Sequence, residues 1–240
     1  MVTTRSARKA TASPSPIAAS FSSSFTTTSS SRMPSRSSRG AKALWTHAPS
    51  RATLAWLAVS LPLVVWDTAY VLLRPLTMEG GSLHWPLWVP YKLYGEVDHV
   101  YGWKAFEARS GFTSAQGALN AVETAMYLAY VWAYLFRSTH VATKAGDKKR
   151  VLAGRPAALA VLIAFSAAVM TLSKTVLYWL NEYFSGFDNI GHNSRQDLVL
   201  LWIIPNGAWL IFPTYMIYAM GGEIVAGLTA ASTGVPAKSE

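Results

Sequence analysis

The chain has no cysteine, which excludes disulfide staples, thiolate nucleophiles and thiolate metal sites. Acids are scarce, with 12 Asp and Glu against 21 Lys and Arg, and all charged residues make up only 14% of the 240 positions. Glycosylation sequons of the form Asn-X-Ser/Thr, a phosphate-binding glycine loop, a His-Glu-x-x-His motif and internal repeats are all missing. The expectation is therefore a chain with no metal and no cofactor. What replaces charge is apolar and aromatic surface: 51% hydrophobic residues, with 10 Trp and 11 Tyr. That is too apolar for an ordinary soluble domain of this size.

Four windows are apolar over the ~20 residues that a spanning helix requires: Ala52–Leu73, Gly117–Phe136, Ala157–Leu180 and Leu198–Met220. The expected fold is an all-α membrane protein, a four-transmembrane-helix bundle with an intramembrane ligand cavity. Residues 1–50 read as a disordered basic tail rich in Ser and Thr ("SFSSSFTTTSSSR"), 51–224 as the bundle and 225–240 as a flexible C-terminal tail. The first segment also fits a Ser- and Arg-rich transit peptide, and Met33 leaves a shorter start open.

The net charge of +9 is distributed as a topology signal rather than as a nucleic-acid footprint. Residues 1–51 hold eight Lys and Arg with no acid, and the Arg137–Arg155 loop holds six more against one Asp. Both termini are expected in the cytosol, with 74–116 and 181–197 on the lumenal side. The expected location is the endoplasmic reticulum membrane, or an organellar membrane after removal of a transit peptide. Anionic headgroups, not DNA or RNA, are the partners that this charge fits. A second copy of the chain is a further candidate partner. The segment "HWPLWVPYKLYGEVDHVYGW", dense in Trp, Tyr and Pro, suits either an interfacial anchor or a lid over a cavity between the helices.

Polar residues inside the spans carry the functional signal. At about 1.5 Å per residue, Asp67 lies ~9 Å below the lumenal end of the first span, and Glu123 lies at a similar depth in the second. Lys174 in the third span and Asn206 in the fourth complete one layer. Lys174 could serve as a structural ion pair with either acid; equally, ionisable groups at such depth line cavities and mark function. Glu123, Tyr127, Tyr130 and Tyr134 share one helix face, as do Lys174 and Tyr178, and Asn206 and Trp209. Pro205 and Pro213 should bend the last helix. Carboxylates among aromatic faces suit a cation in an apolar pocket.

These residues resemble the emopamil-binding protein superfamily, whose EXPERA-type four-helix domain includes sterol Δ8–Δ7 isomerases and sigma-2-type sterol-binding receptors; the likeness runs from Trp56 to Ile224. It is carried by Asp67 in "VVWDTAY", Asp98 and Tyr101 in "PYKLYGEVDHVY", and Glu123 and Thr124 in "AVETAMY". Tyr178 and Glu182 in "KTVLYWLNE", and Asn206, Trp209 and Pro213 in "NGAWLIFP", continue it. The resemblance implies a membrane-embedded isomerase acting on a sterol or other isoprenoid alkene. One carboxyl protonates the alkene, the Trp face stabilises the carbocation and a second group removes a proton from the adjacent carbon. Asp67, Glu123, Asn206 and Trp209 would be catalytic, and Leu63, Asp98, Tyr101 and Tyr178 would line the ligand site; Tyr127, Tyr130 and Lys174 join that lining from depth and helix face alone, Lys174 having no counterpart in the family pattern. The pattern departs where Leu63 stands in place of the isomerase His and Met126 in place of a Thr, and the Asp98–Glu123 interval is longer than in the isomerases. His99 is the candidate substitute for the lost His. Two alternatives accompany the enzyme reading: a non-catalytic sterol- or lipid-binding protein of receptor type, and an isoprenoid cyclase using the same residues. The retained Asn and Trp of "NGAWLIFP" put the enzyme first. A transporter is disfavoured because four helices without repeats leave little room for alternating access.

Overall fold

The computed structural model describes residues 44–142 and 148–234. It is mostly helical, and three of its helical elements, Arg51–Leu72, Gly154–Phe184 and Arg195–Thr233, are long and apolar enough to cross a membrane. A fourth long helix, α4 (Phe112–Arg137), has 26 residues. It does not reach the same apolarity, because Gln116, Asn120, Glu123 and three Tyr interrupt it.

Helix α1 (Arg51–Leu72) starts where the Ser50 hydroxyl accepts the Thr53 backbone N–H at 3.0 Å, a side-chain cap for one of the orphan donors of the first turn. It ends before Arg74-Pro75, where the chain can no longer continue as helix. Two short helices follow, α2 (Pro90–Val97) and α3 (Trp103–Glu107), before α4. Between them the backbone packs on itself: a Cβ on Gly102 would sit 2.5 Å from the Gly95 carbonyl oxygen, so only glycine fits there.

Helix α5 (Gly154–Phe184) is the centre of the bundle and packs against both α4 and α7 (Ile204–Thr233), while α1 packs mainly on α4. The sequence of α5 explains this position. Ala157, Ala160, Ala164, Ala167, Thr171, Lys174 and Tyr178 recur at spacings of three and four, and all are buried. The first four are alanines, which let neighbouring backbones approach closely. Beyond Ala167 the same stripe turns polar, with Thr171 and Lys174.

Helix α6 (Arg195–Asp197), a π-helical stretch over Leu198–Ile203 and α7 run on as one 39-residue element. The widened turns directly precede Pro205, which cannot donate the next helical hydrogen bond. The last helix also runs further than expected. It continues through Thr233 and stops at Gly234 in the left-handed conformation, a helix C-terminal signal. Residues 225–233, read from composition as a flexible tail, are therefore helical; their Ala-rich run has adequate helix propensity.

The all-α expectation needs a second correction. The basic loop between α4 and α5 holds a hairpin, β2 (Thr139–Ala142) with β3 (Lys148–Ala153), and β1 (Thr46–His47) joins it in the antiparallel order β1-β3-β2. Its lysines and arginine dominate the composition, but Val151 and Leu152 are buried beneath it. Within the expected N-terminal tail, residues 44–50 supply β1 and the α1 cap; the rest of that tail and residues 235–240 lie outside the described residues.

Gly117 is a tight contact between α1 and α4, because a Cβ there would lie 2.9 Å from Val71 Cγ1. Replacing Gly117 with Val should overpack this crossing and destabilise the protein by roughly 1–3 kcal/mol. The check is a lowered unfolding midpoint in detergent, with Gly117→Ala affected less.

Candidate functional site

A cavity of about 470 Å³ opens between α1, α2, α4, α5 and the start of α7. Its walls are apolar and aromatic, with Trp66, Tyr91, Tyr94, Trp209 and Leu201 among the lining residues. Pro90, Tyr91, Leu93, Tyr94 and Val97 of α2 line it, so the aromatic segment before α3 contributes to its wall. Tyr91 stacks on Tyr70 with ring centroids 3.8 Å apart, and Tyr94 meets Tyr101 edge-on at 4.9 Å. These contacts fix α2 over α1.

One end of the cavity is polar. Asp67, on α1, accepts hydrogen bonds from Tyr91 Oη at 2.8 Å on one oxygen. On the other it accepts from Asn120 Nδ2 at 3.2 Å and Tyr101 Oη at 3.4 Å. The Asn120 carboxamide then accepts a hydrogen bond from Lys174 Nζ through its own oxygen. Lys174 Nζ also donates to Glu123 Oε2 at 2.8 Å, and Thr171 Oγ1 lies 2.8 Å from that same carboxylate oxygen. Both members of the ion pair are nearly inaccessible, with side-chain exposures of 8% for Lys174 and 4% for Glu123. In surroundings this dry, each charge depends on the other.

Three of the four residues expected in one polar layer thus belong to one network. Lys174 pairs with Glu123 and reaches Asp67 only through Asn120. Asn206 lines the cavity separately and donates from Nδ2 to Trp202 O at 2.9 Å and to Tyr94 Oη at 3.4 Å. Leu63, Tyr101, Tyr178 and Trp209 line the same cavity, Trp209 packing edge-on against Trp56 with centroids 5.1 Å apart.

Other expected site residues stand elsewhere. Glu123 lies behind Lys174, and with Tyr127 it lines a second cavity of only about 20 Å³. Glu123 Oε1 has no hydrogen-bond partner among the described residues. Tyr127 Oη lies 3.4 Å from Thr171 Oγ1. Tyr130 is fully buried near the sheet end of the bundle, where its hydroxyl sits 2.8 Å from His47 Nε2. Seven residues, about two helical turns or ~10 Å, separate Glu123 from Tyr130 on their shared face, so the two lie at different depths.

Asp98 is a structural hub rather than a wall of the cavity. It is fully buried and accepts the Val100 N–H at 3.0 Å, Trp202 Nε1 at 2.8 Å and the Tyr178 hydroxyl. It thereby ties the segment after α2 to α5 and to the π-helical stretch. Burial pushes its carboxyl up from 3.8 to about 6, against the opposing pull of these donors. His99, the expected substitute for a missing catalytic His, stacks on His192 at 4.1 Å and does not line the cavity.

Asn120 and Tyr91 are the site residues that sequence reasoning missed. Asn120 is three residues before Glu123, hence on the same side of α4, and was findable as a polar residue inside a span. No protein-family model, curated protein or solved structure matches the chain.

Two outcomes follow for stability. Lys174→Met should leave Glu123 buried without its countercharge and destabilise by about 3–5 kcal/mol. Adding Glu123→Gln should restore most of that, as read by unfolding in detergent. For Asp98, a folded-state value raised above the unfolded one means that folding favours the protonated form. Its contribution to stability is present below pH 3.8 and is lost as pH rises towards about 6, so stability should fall across that window. Asp98→Asn should flatten this slope in a series of unfolding midpoints.

Proposed function

We propose that the chain is a membrane-embedded sterol or isoprenoid double-bond isomerase in which Asp67 transfers the proton. In this reading α4 is the fourth spanning helix: its polar side chains turn inward, while Leu119, Val122, Leu128 and Leu135 remain exposed as a lipid-facing surface. The endoplasmic reticulum location, with cytosolic termini, and the place of the chain in the emopamil-binding protein superfamily belong to the same proposal.

The observation that carries it is a titratable group at the polar end of an otherwise apolar cavity. A volume of about 470 Å³ lies within the roughly 300–1,000 Å³ range of small-molecule sites. Aromatic and aliphatic walls suit the hydrocarbon body of an isoprenoid, and Asp67 is the acid among the lining residues. Isomerisation needs one proton placed on carbon and one taken from a neighbouring carbon. If addition comes first, the faces of Trp66 and Trp209 stabilise the carbocation. Because Glu123 is turned towards Lys174, Asp67 alone of the two acids borders this cavity.

A second reading, a sterol-binding protein without turnover, is favoured by one specific contact set. Both oxygens of Asp67 are occupied by donors, an arrangement that would also hold a ligand hydroxyl or amine. The two readings part in D2O. Membranes containing the chain, supplied with sterols carrying a ring-B double bond, should yield isomerised product bearing solvent deuterium. Asp67→Asn should lower that rate by about 10²–10⁴-fold, the usual span for a lost acid–base group. Saturable sterol binding without deuterium incorporation would select the binding protein instead.

A further inference from the structure

Resting on the isomerase reading, we infer that the substrate is a β,γ-unsaturated isoprenoid ketone, with Lys174 binding its carbonyl oxygen and Asp67 carrying the proton. Three observations at the polar end of the cavity point this way.

The first is the hydrogen-bond polarity at Asp67. Tyr91, Tyr101 and Asn120 all present donors to it. An amide N–H can only donate, so the Asn120 contact requires an acceptor oxygen. All three contacts present O–H or N–H groups to its two oxygens, so Asp67 is held with those oxygens as acceptors. Asp67 is thereby set up to take a proton from carbon rather than to deliver one to an alkene.

The second is Lys174, which lines the same cavity. An ammonium has three N–H bonds. Among the described residues, Asn120 Oδ1 and Glu123 Oε2 accept two of them. A ligand carbonyl oxygen would take the third. A positive group at this end opposes a carbocation and stabilises an anion on oxygen, and the low dielectric strengthens both effects.

The third is the spacing imposed by Asn120. Its carboxamide places Asp67 on the nitrogen side and Lys174 on the oxygen side, so base and cation are held near each other without collapsing into a direct pair. The countercharge of Lys174 comes from Glu123, at 2.8 Å, and not from Asp67. Asn120 is in this sense a positioning residue.

The reaction is balanced within the site. Asp67 removes a proton from the carbon between the carbonyl and the alkene. The C–H electron pair becomes a new C=C bond, and the carbonyl π pair moves onto oxygen, where the Lys174 ammonium stabilises the dienolate. Asp67 then returns the proton to the far alkene carbon, and the carbonyl re-forms. The product is the conjugated α,β-unsaturated ketone; no oxidant, reductant or water is consumed.

The test uses the full chain in detergent micelles and the β,γ-unsaturated cholestenone, with the ketone on ring A and the double bond in ring B. Conversion is read as the rise of conjugated-enone absorbance and checked by chromatography. The chain should accelerate it well beyond protein-free micelles, and Asp67→Asn should lose about 10²–10⁴-fold of that rate. The double variant Lys174→Met/Glu123→Gln, which removes both charges of the pair and so avoids an orphaned carboxylate, should lose about 10²–10³-fold, the scale of one oxyanion donor. A double variant as fast as wild type would overturn the role of Lys174. A chain no faster than empty micelles that still incorporates deuterium into ring-B sterols would overturn the ketone assignment alone. Failure with both substrate classes would overturn the isomerase reading with it.

Discussion

A lysine ammonium cannot remain charged among apolar helices without an anion beside it, and the site is organised around that constraint. Lys174 lies on the buried stripe of α5, whose earlier positions are alanines. Glu123 meets it from α4. Once that pair is satisfied, Asp67 is released from the duty of neutralising Lys174, and Asn120 separates the two. The Asp67 carboxyl then borders the cavity, held by the neutral donors Tyr91, Tyr101 and Asn120.

The cavity owes its shape to departures from regular helix packing. The π-helical stretch over Leu198–Ile203 and the proline that follows it displace the wall that carries Leu201, Asn206 and Trp209. On the opposite side, the Gly95–Gly102 contact folds α2 tightly enough to lay Tyr91 and Tyr94 against the opening. Asp98 connects these two sides, because its acceptors take donors from Tyr178 and Trp202. The α2 side and the α5–α7 side are thus tied together by one buried carboxyl that does not line the cavity.

Much of this was legible in the sequence. The long apolar runs located the helices, and the polar interruptions Asp67, Lys174 and Asn206 located the cavity wall. Which acid Lys174 would choose was not legible, because periodicity fixes a residue's face on its own helix but not the rotation of that helix against its neighbours. Asn120 was overshadowed by the charged residue one turn later, although its amide supplies the link between the two polar halves. The β2–β3 hairpin was hidden for a compositional reason: its lysines and arginine read as a topology signal, and the buried Val151 and Leu152 are too few to show strand alternation. The continuation of α7 to Thr233 was missed because small residues look alike in a helix and in a loose tail.

His47 gives the architecture a property of a different kind. Its ring stands 2.7 Å from Glu223 of α7 and 2.8 Å from Tyr130 of α4, while the strand that carries it joins the hairpin before α5. Three helices are thus clasped at one end by a polar knot that shares no side chain with the cavity. Part of what holds the bundle together therefore rests on side chains that the cavity does not use. Changes at apolar lining positions such as Leu63 or Leu201 leave every one of these clasp contacts untouched.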